Sequence, residues 1–230
     1  MSRSHPSTGH GALQCARLGE YAVLCDAGLA GDPVSRPDLQ QRVWAVSRRL
    51  GACADVLEVV PGMNNFLVIF RHMPPDLDAV RRRMEQAWHT IQAGNPDSRE
   101  VVVPVRYGGA YGPDLDSVAR HAGLAPEEYV RRHAAGHYIV YALGSQPGFA
   151  YLGGLNPGLA VPRRPSPRPK VEAGAIMIGG SQTGIQSRTT PSGWHVIGKT
   201  QLECFDAAQS SPALFAPGDT VRFQVQELHT

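Results

Sequence analysis

The sequence has few cysteines, no long apolar run and no strong excess of either charge. Its four cysteines include no C-x-x-C pair, which argues against a disulfide scaffold or a cysteine zinc site; they are Cys15, Cys25, Cys53 and Cys204. No apolar stretch approaches the roughly 18 residues of a membrane helix, and residues 1–11 lack the apolar core of a secretory signal. We therefore expect a cytoplasmic protein with reduced, mostly buried thiols and no membrane segment.

Charge balance and composition limit the class of protein further. Lysine and arginine total 22 against 20 acidic residues, so the formal net charge of +2 does not favour nucleic acid as a partner. Hydrophobic residues make up 42% and charged residues 18% of the chain, which is sufficient for a folded core. The length of 230 residues suits one large or two ordinary domains.

The N-terminal half alternates strand and helix patterns. The predicted strands cover residues 13–16, 21–25, 56–60 and 66–70. The predicted helices cover residues 39–50 and 77–91, each followed by a glycine that suits a helix end. This order predicts an α+β domain over residues 1–97, with a boundary composition, G-N-P-D-S, at residues 94–98.

The C-terminal half is dominated by short strands and turns. An alternating strand over residues 101–105 precedes two short helices, one capped by Asp114 and one opened by Pro126. From Tyr138 onwards, glycines recur between aromatic and β-branched residues, a pattern that breaks helices and favours strands joined by tight turns. We therefore predict a mainly-β barrel domain over residues 98–230, with a surface site built on its turns.

Two motifs in this half match known site patterns but lack the required context. Residues 193–200 satisfy the phosphate-loop pattern G-x-x-x-x-G-K-[ST], yet the four central residues favour a strand and no helix pattern follows. His133 and His137 have the spacing of a zinc pair without the adjacent glutamate, and we expect His133 near a helix C-terminus, where positive charge is favourable. We predict neither a phosphate loop nor a metal site here.

Three other features of this half have two interpretations each. Ser181 is either a nucleophile or part of a polar turn that binds a ligand, and the absence of a G-x-S-x-G elbow favours the turn. Phe149 and Tyr151 either pack in the core or line a groove. The extended segment P-R-R-P-S-P-R-P-K, residues 162–170, is either a solvated loop or folds over a site to meet a carboxylate or phosphate.

We predict a ligand groove on the barrel domain where these segments meet. Glycines permit a ligand to approach the backbone, glutamine offers both a donor and an acceptor, and arginine neutralises an anion. The predicted groove residues are Gly148, Phe149, Tyr151, Arg163, Arg168, Gly180, Gln182, Thr183 and Trp194. The sequence assigns no residue a catalytic role.

Several segments resemble one protein family closely. In the second half they are P-G-F-A-Y-L-G-G-L, G-G-S-Q-T-G-I and G-W-H-V-I-G-K-T, at residues 147–155, 179–185 and 193–200. They resemble the B-subunit family of bacterial 5-oxoprolinase, whose members are also labelled allophanate hydrolase subunit 1 or kinase-inhibitor-like, and the carboxyltransferase region of urea carboxylase. The segments G-E-Y-A-V-L, V-V-P-G-M and Y-G-G-A-Y-G-P-D-L extend the resemblance to nearly the whole chain.

The resemblance implies a ferredoxin-like α+β domain followed by a cyclophilin-like β-barrel. It also implies a C-type partner subunit with a related barrel and a third subunit, which together open 5-oxoproline to glutamate with ATP and Mg. The nucleotide is expected in the assembled complex and not on this chain. The chain departs from the family pattern at Ala150, Gln186 and Lys199, and the first two changes touch the predicted groove.

Three functions are consistent with this resemblance. The first is a subunit of an ATP-dependent hydrolase complex that opens a lactam or related amide, with 5-oxoproline as the expected substrate. The second is a histidine-kinase inhibitor that holds a protein segment in the groove. The third is a carboxyltransferase module of a biotin-dependent urea carboxylase, although the chain has no biotin-accepting lysine motif.

Overall fold

The structure is a computed structural model that describes residues 13–28, 37–72, 74, 76–91 and 98–230. The chain separates into two compact units, residues 1–94 and residues 95–230. The segment 94–98, where the sequence predicts a boundary, lies outside the described residues except for Ser98. None of the helices in the described ranges is long and apolar enough to cross a membrane.

The N-terminal unit combines an antiparallel sheet with two helices. Its strands are β1 (Gln14–Leu18), β2 (Ala22–Asp26), β3 (Val56–Pro61) and β4 (Asn65–Phe70), and its helices are α1 (Pro37–Gly51) and α2 (Leu77–Thr90). The sheet order is β1-β2-β4-β3, and every neighbouring pair is antiparallel. This ββαββα order corresponds to a ferredoxin-like βαββαβ unit with its last strand moved to the front.

Two sequence periodicities explain how this unit folds. Along β4, Phe66, Val68 and Phe70 are buried while the residues between them are only partly buried, as expected of a strand with one covered face. Helix α2 begins after Asp76, whose carboxylate accepts hydrogen bonds from two backbone N–H groups of the first turn. The buried face of α2, which includes Trp88, joins the buried residues of α1 and the sheet in one core.

The C-terminal unit, described over residues 98–230, contains a closed barrel. Its strands are β5 (Glu100–Gly108), β6 (Tyr138–Leu143), β7 (Ala150–Gly153), β8 (Arg168–Val171), β9 (Ala175–Gly179), β10 (Gln182–Ile185), β11 (Thr190–Ser192), β12 (His195–Lys199) and β13 (Thr220–His229). Its helices are α3 (Leu115–His121), α4 (Pro126–Ala134) and a short 3-10 helix (Pro157–Leu159).

Seven of these strands close the barrel in the order β10-β7-β6-β13-β5-β12-β9. β13 runs parallel to β5, and the other neighbouring pairs are antiparallel. β8 and β11 form a separate two-stranded ribbon. The predicted fold class, an α+β domain followed by a mainly-β barrel, is confirmed.

His133 lies in the last turn of α4, so its predicted position near a helix C-terminus is confirmed. The residue is fully buried in the barrel core, however, and the positive charge expected there is wrong. Its Nδ1 is 2.9 Å from the Tyr107 hydroxyl, and its Nε2 is 3.0 Å from Thr183 Oγ1. Because the Thr183 hydroxyl donates to the Met177 carbonyl, it accepts from Nε2–H, and Tyr107 donates to Nδ1. Burial lowers the pKa of His133 to about 3, so the imidazole is neutral.

Candidate functional site

The barrel unit carries a groove of about 330 Å³ beside the β8–β11 ribbon. We call it the aromatic groove. Its lining comprises three aromatic residues, two arginines and a set of polar and turn residues: Phe149, Tyr151, Trp194, Arg163, Arg164, Ser145, Gln146, Gln186, Thr190, Ser192, Pro167, Pro191 and Gly193. The groove therefore combines apolar, cationic and neutral hydrogen-bonding surfaces in one small site.

Three rings form the apolar part of the groove. The ring centroids of Phe149 and Tyr151 are 4.8 Å apart, and Trp194 lies 5.9 Å from Phe149 and 6.4 Å from Tyr151. All three pairs meet edge to face, a favourable geometry for aromatic side chains. Phe149 is 5% and Trp194 6% exposed, and both belong to a small buried cluster. The rings thus pack against the barrel and also line the groove, so both interpretations of Phe149 and Tyr151 hold.

At several glycines beside the groove, atoms of neighbouring residues occupy the space that a side chain would need. A Cβ at Gly179 would lie 2.5 Å from Trp194 Cδ2, and a Cβ at Gly184 would lie 3.2 Å from Phe149 Cζ. A Cβ at Gly148, where φ is +75°, would lie 2.6 Å from the Cys204 carbonyl oxygen. Neighbouring residues thus already occupy the space beside Gly148 and Gly184, whereas a Cβ at Gly180 would meet nothing within 4 Å. Of the three glycines, Gly180 is the one whose backbone is open to a ligand.

Polar side chains in the groove are linked to each other. Gln186 Nε2 donates to Thr190 Oγ1 at 2.6 Å, and Thr190 Oγ1 donates to Gln146 Oε1 at 3.4 Å. Gln186 is 1% exposed, so its side chain is held by packing as well as by this contact. Carboxamide and hydroxyl groups both donate and accept hydrogen bonds, which suits the binding of an amide.

Asp114 holds the arginine segment against the barrel. Its carboxylate accepts hydrogen bonds from Arg168 Nη1 at 2.8 Å and Nη2 at 3.0 Å, from Arg164 Nη1 at 3.1 Å and from the Val196 N–H at 2.8 Å. Burial alone would raise the pKa of Asp114, but the hydrogen bonds from Arg168 and Val196 lower it below its usual value. Asp114 precedes α3 without capping it through its side chain, which corrects the predicted role of this residue.

Arg163 presents a positive charge to one of the aromatic rings of the groove. Its guanidinium carbon lies 5.6 Å from the centroid of the Trp194 ring, a cation–π contact. The neighbouring Arg164 is bound to Asp114 through Nη1, while its buried Nε has no hydrogen-bond partner among the described residues. An anionic group entering the groove would therefore meet the cationic side chain of Arg163 beside an apolar surface.

The structure brings together four of the nine predicted groove residues, Phe149, Tyr151, Arg163 and Trp194. Arg168 instead lines a neighbouring cavity of about 330 Å³, because its guanidinium is bound to Asp114.

The other four predicted residues lie away from the groove lining. Thr183 is fully buried inside the barrel, where it contacts His133. Gly148 and Gly180 occupy turns with positive φ, and Gln182 begins β10. Of the two departures from the family pattern that were expected to touch the groove, Gln186 lines it, whereas Ala150 is buried in the barrel core.

The segment that satisfies the phosphate-loop pattern does not fit a nucleotide phosphate. It forms β12, as its composition predicts, and this strand pairs with β5 and β9. No helix follows Thr200 within residues 201–230, so no helix N-terminus is available to bind phosphate there. The Lys199 ammonium is paired with the Glu172 carboxylate. Over the described part of the chain, no group of three or more His, Cys, Asp or Glu residues could hold a metal ion.

The predicted groove residues omitted Gln146 and Thr190, included the segment of Arg164 without naming it, and left Asp114 only a capping role. Gln146 directly precedes the P-G-F-A-Y segment, and its position beside that segment is a signal that could have included it. Asp114 has no such signal, because its arginine partners lie 50 and 54 residues further along the chain.

Comparisons with known proteins agree with this architecture. A family model described as carboxyltransferase domain, subdomain C and D, matches residues 13–215. The 5-oxoprolinase B subunit of Escherichia coli O157:H7 is 44% identical over 217 residues, covering 93% of this chain and 96% of that protein. The crystal structure of TTHA0988 matches with a TM-score of 0.74 at 31% identity, and the match covers 90% of this chain and 40% of that longer one.

The Kluyveromyces lactis urea amidolyase structure shows the same fold at 16% identity, with a TM-score of 0.76 over 94% of this chain and 15% of that chain. The family model and the Escherichia coli relative each cover most of the described residues. The chain therefore belongs to the B-subunit family of 5-oxoprolinase, within the carboxyltransferase subdomain C and D family.

Proposed function

We propose that this chain is the B-type subunit of an ATP-dependent hydrolase complex that opens 5-oxoproline to glutamate. Relatives named as the B subunit of 5-oxoprolinase, 39% to 44% identical to this chain, support the proposal. The structural observation that carries it is the aromatic groove, where Arg163 lies over Trp194 close to carboxamide and hydroxyl groups.

The chemistry of the groove suits a small lactam with a carboxylate. The carboxylate would pair with Arg163, since a guanidinium binds carboxylates through two parallel hydrogen bonds. The ring methylenes of 5-oxoproline would pack on Tyr151 and Trp194. The lactam N–H and carbonyl would meet Gln146 and Thr190, which offer both donors and acceptors. A volume of about 330 Å³ lies at the lower end of the range for small-molecule sites and suits such a compact ligand.

The proposed complex divides its work between subunits. The segment that resembles a phosphate loop in this chain does not fit a nucleotide, so we assign ATP and Mg to the assembled complex. The role of this chain is to bind and orient the amide next to a C-type subunit that has a related barrel. Full activity of the complex needs a third subunit. An isolated chain is accordingly expected to have no turnover, and a cytoplasmic location stays a prediction.

The test is reconstitution of the chain with its C-type and third subunits. ATP hydrolysis would be measured with 5-oxoproline, allophanate and urea as alternative substrates, for the isolated chain and for the complex. We expect hydrolysis that depends on 5-oxoproline, and only in the complex. Turnover by the purified chain alone, or a response to allophanate or urea in place of 5-oxoproline, would overturn the proposal.

A second candidate is a carboxyltransferase module, which the description of the matched family model favours. Such a module needs a carboxylated biotin carrier as its donor. The same preparations would be incubated with carboxybiotin and urea, and transfer of the carboxyl group would be followed. We expect no transfer, and measurable transfer would favour this candidate over 5-oxoproline opening.

A further inference from the structure

Cys15 and Cys25 face each other across the hairpin of the N-terminal unit. The β1–β2 register sets the two residues directly opposite, and their Sγ atoms are 3.0 Å apart. Opposed residues of an antiparallel pair place their side chains on the same face of the sheet. A disulfide bond is about 2.05 Å long, so the two sulfurs have to close by roughly 1 Å to become bonded. Both cysteines are free thiols in the structure.

We propose that Cys15 and Cys25 form a dithiol site that hydrogen peroxide oxidises reversibly to a disulfide. In this site Cys15 is the reacting thiol and Cys25 is the resolving thiol. The site lies in the N-terminal unit and is independent of the proposed function of the barrel.

The surroundings of the two thiols assign these roles. Cys25 is fully buried, whereas Cys15 is partly exposed and lines a cleft of about 70 Å³ with Leu77 and Arg81. A cleft of this size holds a few water-sized molecules. It therefore suits a small oxidant such as hydrogen peroxide.

Electrostatics favour the same assignment. The hydrogen bond from Cys25 lowers the pKa of Cys15, and the nearby Arg81 acts in the same direction, whereas burial and Glu85 oppose it. The shared hydrogen bond and burial raise the pKa of Cys25. Since the thiolate is the nucleophile, Cys15 reacts first while Cys25 keeps its proton.

The oxidation proceeds in two balanced steps. The Cys15 thiolate attacks one peroxide oxygen, the O–O bond breaks, and Cys15 becomes a sulfenic acid while the released hydroxide takes up the thiol proton as water. The Cys25 sulfur then attacks Cys15 Sγ and displaces the hydroxyl group, which leaves as a second water with the Cys25 proton. Two thiols and one peroxide thus give one disulfide and two waters, and the two electrons lost by the sulfurs reduce the peroxide.

The bond would join two neighbouring strands at the margin of the sheet. β1 is the terminal strand of the four-stranded sheet and pairs with β2 through its whole length. A dithiol such as dithiothreitol would restore both thiols by exchange, because Cys15 is partly exposed and its sulfur can be attacked from solvent.

The test is disulfide mapping of the full-length chain after treatment with hydrogen peroxide. We expect a peptide pair linked through Cys15 and Cys25, the loss of two hydrogen masses, and full recovery with dithiothreitol. Cys53→Ser is the matched control, because Cys53 is also partly exposed but lies outside this sheet. This variant should form the same link as the parent chain, and Cys15→Ser should form none.

Replacement of the resolving thiol tests the order of the steps. Cys25→Ala should accumulate a sulfenic acid on Cys15 that reacts with dimedone. Cys25 is buried, so this variant could unfold. If it does, the disulfide mapping of the peroxide-treated parent chain decides whether Cys15 and Cys25 become linked. Oxidation of Cys53 in preference to Cys15, or irreversible oxidation of Cys15 without a link, would overturn the proposal.

Discussion

The Arg168 guanidinium binds the Asp114 carboxylate through two hydrogen bonds, from Nη1 to Oδ2 at 2.8 Å and from Nη2 to Oδ1 at 3.0 Å. Arg164 binds the same carboxylate, so the segment that follows Arg163 is tied to the barrel at two points. Asp114 does not line the aromatic groove, yet its contacts with Arg164 and Arg168 anchor the segment that carries Arg163. The position of the cation in the groove thus depends on a residue outside it.

We expect Asp114→Asn to destabilise the barrel unit and to weaken substrate binding. The amide removes the negative charge and turns one acceptor oxygen into a donor that faces an arginine. Hydrogen bonds to charged groups contribute about 1.5–3 kcal/mol, and the arginine side chains are 28% and 31% exposed, which favours the lower end of that range. Urea unfolding of the chain and the KM of the complex for 5-oxoproline would measure the two effects.

Asp116→Asn is the matched control for this change. Asp116 lies on α3 two residues away and is exposed, so its loss should leave the unfolding free energy and KM near the parent values. Equal effects of the two substitutions would show that the Asp114 carboxylate does not hold the arginine segment.

Arg163→Ala should raise the KM of the complex for 5-oxoproline roughly 10- to 100-fold, the equivalent of one lost charge-assisted contact of about 1.5–3 kcal/mol. Arg163→Lys should give an intermediate value, because lysine keeps the charge without the planar fork. Arg222→Ala is the control, since Arg222 is an exposed arginine of β13 paired with Glu100 and does not line the groove. An unchanged KM in Arg163→Ala would exclude Arg163 from substrate binding.

The groove in the structure and the groove predicted from the sequence contain different glutamines, so substitutions of these residues can tell the two apart. Gln146 lines the aromatic groove, whereas Gln182 does not. We therefore expect Gln146→Ala to lower kcat/KM of the complex several-fold and Gln182→Ala to have a much smaller effect. Melting temperatures would establish that both variants are folded. The reverse order of effects would place the substrate nearer to β10.

The fold was largely predictable because its signals are local. The alternation of β4 and the apolar spacing of α2 depend only on neighbours along the chain, and both elements are present. The strand character of β12 likewise outweighed its match to a phosphate-loop pattern, because bulky residues occupy the positions between the glycines.

The site was only partly predictable because its geometry depends on distant contacts. Phe149 and Trp194 belong to segments of unusual composition, and their rings contact each other and line the aromatic groove. Arg168 and Thr183 lie in equally distinctive segments, yet the first pairs with Asp114 and the second with His133. Residue type and local spacing do not reveal which of several polar residues find buried partners 50 or more residues away.

Lys199→Arg should retain most of the activity of the assembled complex. Lys199 lies at the end of β12 and pairs with Glu172, a contact that arginine also makes. A phosphate-loop lysine tolerates this exchange badly, because its ammonium reaches between the nucleotide phosphates. The KM for ATP and kcat of the complex would be compared with those of the parent. Loss of nearly all activity in a folded variant would show that this lysine does contact a nucleotide.

Stability should fall between pH 7 and pH 5 because His133 is buried as a neutral base. The pKa of His133 is about 3 in the folded chain and about 6.5 in an unfolded chain. Between these values only the unfolded state binds the proton, which favours unfolding. The stability that the folded chain gains from a neutral His133 is therefore complete above pH 6.5 and is lost as the pH decreases. The expected loss is about 2 kcal/mol from pH 7 to pH 5, measured by urea unfolding.

The histidine responsible can be identified by substitution and by spectroscopy. His133→Gln should remove most of this pH dependence, whereas His229→Gln, at an exposed histidine, should keep it. Because the first variant leaves the Tyr107 and Thr183 hydroxyls with altered partners and could fail to fold, the ring nitrogen shifts of the parent chain give an independent measurement. A protonated imidazolium at His133 in the folded chain at pH 5 would contradict the burial argument, since Nδ1 would then carry a proton facing the Tyr107 hydroxyl.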